Sequence, residues 1–215
     1  MTADRLHIWQ TLFNRALTIL DSAAAAGMPD DWSFGGGTVL MLEYRHRFSK
    51  DIDIFVPDPQ YLGFLTPRLN DRAEVNTRGY DEQHNSLKIY YAEGEVDFVA
   101  AGPVSASPYV MREILGRTVR VETPLEIVAK KLKFRAADFK ARDLFDLALV
   151  LERVVDARPA LATLIQQQQS VLRERFASRD AVLREDFAAI DTLDYTPSFD
   201  DCLQCLEDAG GILLR

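Results

Sequence analysis

The sequence predicts an α+β fold, with a mixed sheet and its helices in the N-terminal half and a helical C-terminal half. Three observations carry this. Between residues 32 and 100 several short segments alternate apolar and charged residues, the period-two signature of strands. From about Val121 the apolar positions recur at helical spacing instead. Glycines and prolines fall between the periodic segments rather than inside them. The expected division is an α+β part over residues 1–120 and a helical domain over 121–215.

The elements follow in order. Leu6, Trp9, Leu12, Phe13, Ala16 and Leu20 share one helical face, so a helix runs from Leu6 to Ala26 and stops before Gly27 and Pro29. Trp32-Ser33-Phe34 reads as a short strand, broken by Gly35-Gly36-Gly37, and Thr38 to Tyr44 is helical. Asp51 to Val56 is a strand with one wet face, closed by Pro57 and Pro59. Tyr61 to Ala73 reads as a helix interrupted by Pro67. Strands over Ser86–Tyr91 and Glu95–Ala100 flank Ala92-Glu93-Gly94, a hairpin-sized loop. Helices then cover Pro124–Arg135, Ala141–Val155, Pro159–Phe187 with a break, and Ser198–Ala209.

Composition narrows the function classes. The 215 residues are 47% hydrophobic and 27% charged, ordinary for a folded protein. The net charge of −8 argues against a non-specific DNA coat, although a local basic patch can still steer RNA. Two cysteines exclude a disulfide scaffold and point to a reducing compartment. The first residues lack an apolar signal core, and no apolar run approaches the roughly 20 residues of a membrane span, so the expectation is a cytoplasmic protein with no membrane partner.

Four groups of residues carry chemistry. Gly35-Gly36-Gly37-Thr38 lies between a strand and a helix, where it serves either as a tight turn or as a phosphate cradle at the helix N-terminus. Asp51 and Asp53 are two apart on a strand and project together, either as a solvated strand edge or as a pair whose repulsion Mg²⁺ would relieve. Glu95 and Asp97 share a face of a second strand, and Asp97 would supply a third carboxylate to a two-metal site. On the Pro124–Arg135 helix, Lys130 falls nearly opposite the apolar face, whereas Lys131 lies at its margin and can reach a cleft. Asp146 is the one polar residue between Leu144 and Leu151. It either pairs with Arg142, four residues earlier, or orients a cationic active-site group or handles a proton. Cys202 and Cys205 read as small residues on a packed helix face. His7, His46 and His84 share no spacing that suggests a zinc site.

The order of these pieces resembles the AbiEii-type nucleotidyltransferases, toxins of abortive-infection toxin–antitoxin systems. The likeness rests on Gly36-Gly37-Thr38, on His46-Arg47-Phe48-Ser49 followed by Asp51-Ile52-Asp53, on Pro124 to Leu132, and on Arg142-Asp143-Leu144-Phe145-Asp146. It spans about Ser33 to Leu149. The resemblance implies a polymerase-β-like nucleotidyltransferase core whose helical domain completes the active-site cleft. It implies Mg²⁺ on Asp51 and Asp53, an NTP cradled by Gly36, Gly37 and Thr38 with Ser49, a phosphate contact from Lys131, and Asp146 completing the site. It also implies a type IV-like toxin that moves an NMP to an acceptor, with tRNA as acceptor and an antitoxin protein as partner. The alternatives are a protein-nucleotidylating enzyme and a non-catalytic relative that binds nucleotide or a partner.

Overall fold

The computed structural model describes residues 3–214. Contacts divide them into two compact units. The first holds residues up to Val39, Ser49–Pro103 and Tyr109–Thr123; the second holds Leu40–Phe48, Val104–Pro108 and Pro124 onward.

The first unit is built on a mixed sheet. Its strands are β1 (Ser33–Gly35), β2 (Ile52–Val56), β3 (Gly79–Glu82), β4 (Ser86–Tyr90), β5 (Glu95–Ala100), β6 (Tyr109–Ile114) and β7 (Arg117–Glu122), in the order β3-β4-β5-β2-β1-β7-β6. β2 runs parallel to β5, and β1 parallel to β7; the other neighbours are antiparallel. Register places whole rows of side chains together, because residues that face one another across strands share a face. One row is Phe34, Ile54, Phe98 and Leu87, each fully buried. Helix α1 (Ile8–Ala25) packs on this apolar face, with Phe13 4.6 Å from Phe34 between ring centroids. The adjoining row is Gly35, Asp53, Asp97 and Lys88. The strand alternation thus sends the apolar residues to the core and the carboxylates to the opposite face.

The expected helix from Tyr61 to Ala73 is not continuous. It resolves into a 3-10 turn (Pro59–Tyr61) and two single-turn helices, α3 (Leu62–Leu65) and α4 (Asp71–Glu74). Pro67 forces Thr66 into extended backbone (φ −67°, ψ 138°), and the Asn70 side chain then caps α4 by accepting from the Arg72 N–H. Three strands escaped the sequence reading: β3, and the hairpin β6–β7.

The second unit is helical. It contains the last turns of α2 (Gly36–Tyr44), then α5 (Pro124–Arg135), α6 (Ala141–Arg153), α7 (Ala157–Gln167), α8 (Gln169–Ala188) and α9 (Phe199–Gly210). The predicted long helix after Pro159 breaks at Gln168, within the glutamine tract. Phe145 on α6 is the centre of an aromatic cluster, 5.2 Å from Tyr195 and 5.6 Å from Phe187. Cys202 and Cys205 are buried free thiols, on the packed face of α9. Ser198 caps α9, and its hydroxyl accepts from the Asp201 N–H. Segment 104–108 joins this unit through Glu126, whose buried carboxylate accepts from the Val104 and Ser105 N–H groups at 2.9 and 2.6 Å. No helix among the described residues is long and apolar enough to cross a membrane.

Candidate active site

The sheet unit carries the acidic part. Asp53 and Asp97 are register partners on parallel strands, on the face turned away from α1. Lys88 on β4 is the next side chain in that row and places its ammonium 3.2 Å from Asp97 and 2.6 Å from Glu95. Burial pushes the Asp97 carboxyl above its usual pKa. Lys88 opposes that, and the neighbouring Glu95 and Asp51 charges reinforce it.

Gly36 explains why glycine is needed at the strand–helix turn. Its φ is +76°, in the left-handed region, and a Cβ there would collide with the Asp53 carboxylate. The backbone at the start of α2 thus lies directly over Asp53. Gly37 occupies the first turn of that helix, where N–H groups lack intrahelical partners. Thr38 is fully buried, and its hydroxyl donates to the Asp51 carbonyl at 2.6 Å and sits 3.1 Å from the Ser49 hydroxyl. Thr38 and Ser49 therefore fasten the segment entering β2 to α2. Asp51 itself immediately precedes the strand, and its charge is felt at Asp97. Its Oδ1 accepts from the Glu95 N–H at 3.1 Å, against Gly94, where a Cβ would come within 2.8 Å of that oxygen.

Among the described residues no group of three or more His, Cys, Asp or Glu side chains stands close enough to hold a metal ion. The pair Asp53 and Asp97 still suits Mg²⁺, which binds through one or two carboxylates together with substrate phosphates rather than in an all-protein cage.

The helical unit carries a closed ionic network. Asp146 on α6 is fully buried and accepts four hydrogen bonds. His46 Nε2 and Arg47 Nε donate to Oδ1 at 2.8 and 2.7 Å; Arg47 Nη2 and Lys131 Nζ donate to Oδ2 at 2.7 and 2.6 Å. A carboxylate has about four acceptor directions, so all are taken. Burial alone would push the Asp146 carboxyl up, but the Arg47 and Lys131 charges outweigh it and hold the group well below the usual carboxylate range. It has no room for a proton near neutrality, so its chemistry here is to orient cations. Burial keeps His46 below its ordinary pKa against the pull of Asp146, so the ring is neutral and donates through Nε2–H. Asp143 completes the cluster: it is fully buried and accepts from Lys131 Nζ at 2.8 Å.

Two expectations are corrected here. Arg142 does not pair with Asp146; it is exposed, and the partners of Asp146 come from residues 46, 47 and 131. Lys130 is not on an open face; it is buried, with its ammonium 3.7 Å from Glu126.

The profile of the family described as nucleotidyl transferase AbiEii toxin, type IV toxin–antitoxin system, matches residues 18–210. The chain belongs to the AbiEii family. It is a nucleotidyltransferase. No curated protein matches the sequence. Solved structures with similar backbones include JHP933 from Helicobacter pylori, at 18% identity over 98% of this chain and 92% of that one, with a TM-score of 0.48. The antibiotic-resistance factor ANT(2'')-Ia is similar in its solution structure at 20% identity, over 84% of this chain and 98% of that one, with a TM-score of 0.45. Its complex with adenylyl-2''-tobramycin gives 22% identity, 80% and 98% coverage, and a TM-score of 0.44.

For this AbiEii-family chain the sequence reading missed His46, Arg47 and Asp143 as members of the network. The available signal was the basic His-Arg-x-Ser stretch itself. A histidine and an arginine just ahead of an acidic strand, together with two aspartates in an apolar helix, are mutual partners across the chain.

Proposed function

We propose that the protein moves a nucleoside monophosphate from an NTP to the acceptor end of tRNA, with Mg²⁺, as the toxin of a type IV-like abortive-infection system with a cognate antitoxin. The reading is supported by family membership. The observation that carries it is the register pair Asp53–Asp97, with the Gly36 turn at a helix N-terminus lying against Asp53. That N-terminus offers unpaired N–H groups to triphosphate oxygens.

Asp51, Asp53 and Asp97 would hold Mg²⁺. When bound, the ion neutralises phosphate charge and orients the triphosphate. Gly36 and Gly37 let the backbone approach the phosphates, and Thr38 and Ser49 keep that backbone fixed to the Asp51 segment. Lys131, held by Asp146, is the cation that contacts phosphate. The acceptor hydroxyl oxygen attacks the α-phosphorus and its proton passes to solvent water. The bond to the bridging oxygen breaks on the opposite side, and pyrophosphate leaves. Positioning and charge stabilisation are the protein's whole contribution to such a transfer.

The test is incubation with each α-labelled NTP, Mg²⁺ and total tRNA, comparing wild type with Asp53→Ala. Label is expected in RNA with wild type alone. The variant should fall at least about 100-fold, since lost charge stabilisation is worth several kcal/mol. Label on protein instead of RNA would make the enzyme a protein nucleotidylator. Nucleotide binding without any transfer would make it a non-catalytic relative, and an undiminished Asp53→Ala would refute the site.

A further inference from the structure

Lys131 is placed between two buried carboxylates rather than one. Its ammonium donates to Asp143 Oδ1 at 2.8 Å and to Asp146 Oδ2 at 2.6 Å. An ammonium has three N–H groups, so one remains, and the residue keeps 8% of its surface exposed. A lysine stem is flexible, with about 2 kcal/mol of rotamer entropy, and a single partner leaves its aim loose. Here both partners are themselves immobile. Asp146 is locked by His46 and Arg47 as well as by Lys131. Asp143 is locked from the other side, because its Oδ2 accepts from the Lys140 N–H at 3.1 Å and closes the first turn of α6. Two fixed anchors define the direction of the third N–H. The charges close as well: Asp143 and Asp146 balance Arg47 and Lys131 around a neutral His46, and Arg135 lies 4.0 Å from Asp143 at the rim.

We propose that Asp143 is a positioning residue of the transferase site, which with Asp146 aims the Lys131 ammonium so that its remaining N–H meets the triphosphate. This rests on the reading above that Lys131 touches phosphate. Asp143 contacts no reacting atom. It acts through Lys131, and its second bond, to the Lys140 N–H, is a separate structural service to α6.

The two services can be separated. In Asp143→Asn the side-chain carbonyl can still accept from the Lys140 N–H, whereas the charge facing Lys131 is gone. Wild type, Asp143→Asn, Lys131→Met and the double variant are compared in the full-length protein. The readouts are kcat/KM with the nucleotide that wild type transfers, and equilibrium affinity for each of the four NTPs, which stays measurable where turnover does not. Asp143→Asn is expected to lose about 10–100-fold in kcat/KM, the usual loss when a supporting partner is removed. On the Lys131→Met background the same change should cost nothing further, because residues acting as one unit are non-additive. Equal losses on both backgrounds, or a fully active Asp143→Asn, would overturn the proposal. Should Asp143→Asn not fold, Asp143→Ser, which also keeps an acceptor and lacks the charge, enters the same cycle with the same outcomes. A Lys131→Met protein with unaltered affinity and turnover would refute the phosphate contact of Lys131 instead, which is a different failure.

Discussion

The two acidic clusters of this chain are built on opposite principles. On the sheet, Asp53 and Asp97 stand partly buried in one register row, with Lys88 as the neighbouring cation of that row, and Asp97 is harder to ionise than an ordinary aspartate. In the helical unit, Asp143 and Asp146 are fully buried, and their charges are met by Arg47 and Lys131 within hydrogen-bonding distance. Their pKa values are lowered accordingly. The first cluster is partly exposed and one of its carboxyls is hard to ionise; the second is buried and its carboxylates are held ionised by the cations they touch. Electrostatics alone thus assigns them different work: one is suited to take a cation from outside, the other to hold the protein's own cations in place.

The largest expected effect comes from opening the closed cluster. Asp146→Ala removes the acceptor of four hydrogen bonds and leaves Arg47 and Lys131 buried without their common counter-charge. Breaking one partner of a buried ion network costs about 3–5 kcal/mol. For a chain of this size that is a fall of roughly 6–20 °C in melting temperature. Asp53→Ala should not destabilise comparably, because Asp53 is only partly buried, whereas Asp146 is fully buried. Thermal melts of the two variants side by side check this. Equal destabilisation would erase the distinction between the clusters.

A smaller effect is expected at the turn above the open cluster. Gly36→Ala places a Cβ against the Asp53 carboxylate and holds a non-glycine residue at φ +76°. The backbone penalty alone is about 1–2 kcal/mol, and the collision moves Asp53 or the start of α2. Urea unfolding should show the modest stability loss, and nucleotide transfer should fall by more than that loss explains. A variant that melts lower yet transfers normally would mean that the glycine serves the fold and not the site.

How much of this could be read from the sequence follows from the range of the interactions. The Asp53 strand, the Glu95–Ala100 strand and the helices from Pro124 onward were legible, because alternation and helical periodicity are local patterns. The hairpin β6–β7 was not. Its turn is Leu115-Gly116, with Leu115 held at φ +49°, and carries none of the usual Asn-Gly chemistry; β6 is exposed along nearly its whole length, so no buried face imprints an alternation. The apparent helix after Tyr61 failed for a local reason, the proline at 67. The network around Asp146 failed for a non-local one. Helical spacing offered Arg142 at four residues, whereas His46 and Arg47 reach Asp146 from 100 and 99 residues away. The lone carboxylate in an apolar helix announced that a partner existed; only the fold could name it.

The finest test of the comparison uses pH. His46 is neutral inside the closed cluster, where burial holds its pKa below 6.5, and the charges facing it are Asp146, Arg47 and Lys131. In the unfolded chain the ring would protonate near 6.5, so below that pH the unfolded state binds a proton that the folded state refuses. Stability is therefore intact above 6.5 and declines as pH falls from there toward the lower folded-state pKa. The buried carboxylates behave differently: their depressed pKa values contribute above the ordinary aspartate range near 3.8 and are lost only as pH falls through it. His46→Gln keeps a donor for Asp146 but cannot titrate. Melting temperature against pH should accordingly decline for wild type below 6.5, more steeply than for His46→Gln, with the two curves falling together once the carboxylates protonate. Parallel curves between pH 6.5 and 4.5 would mean that the cluster admits a proton at His46 without cost, and that the closure of this network, on which its contrast with the open row depends, is not real in solution.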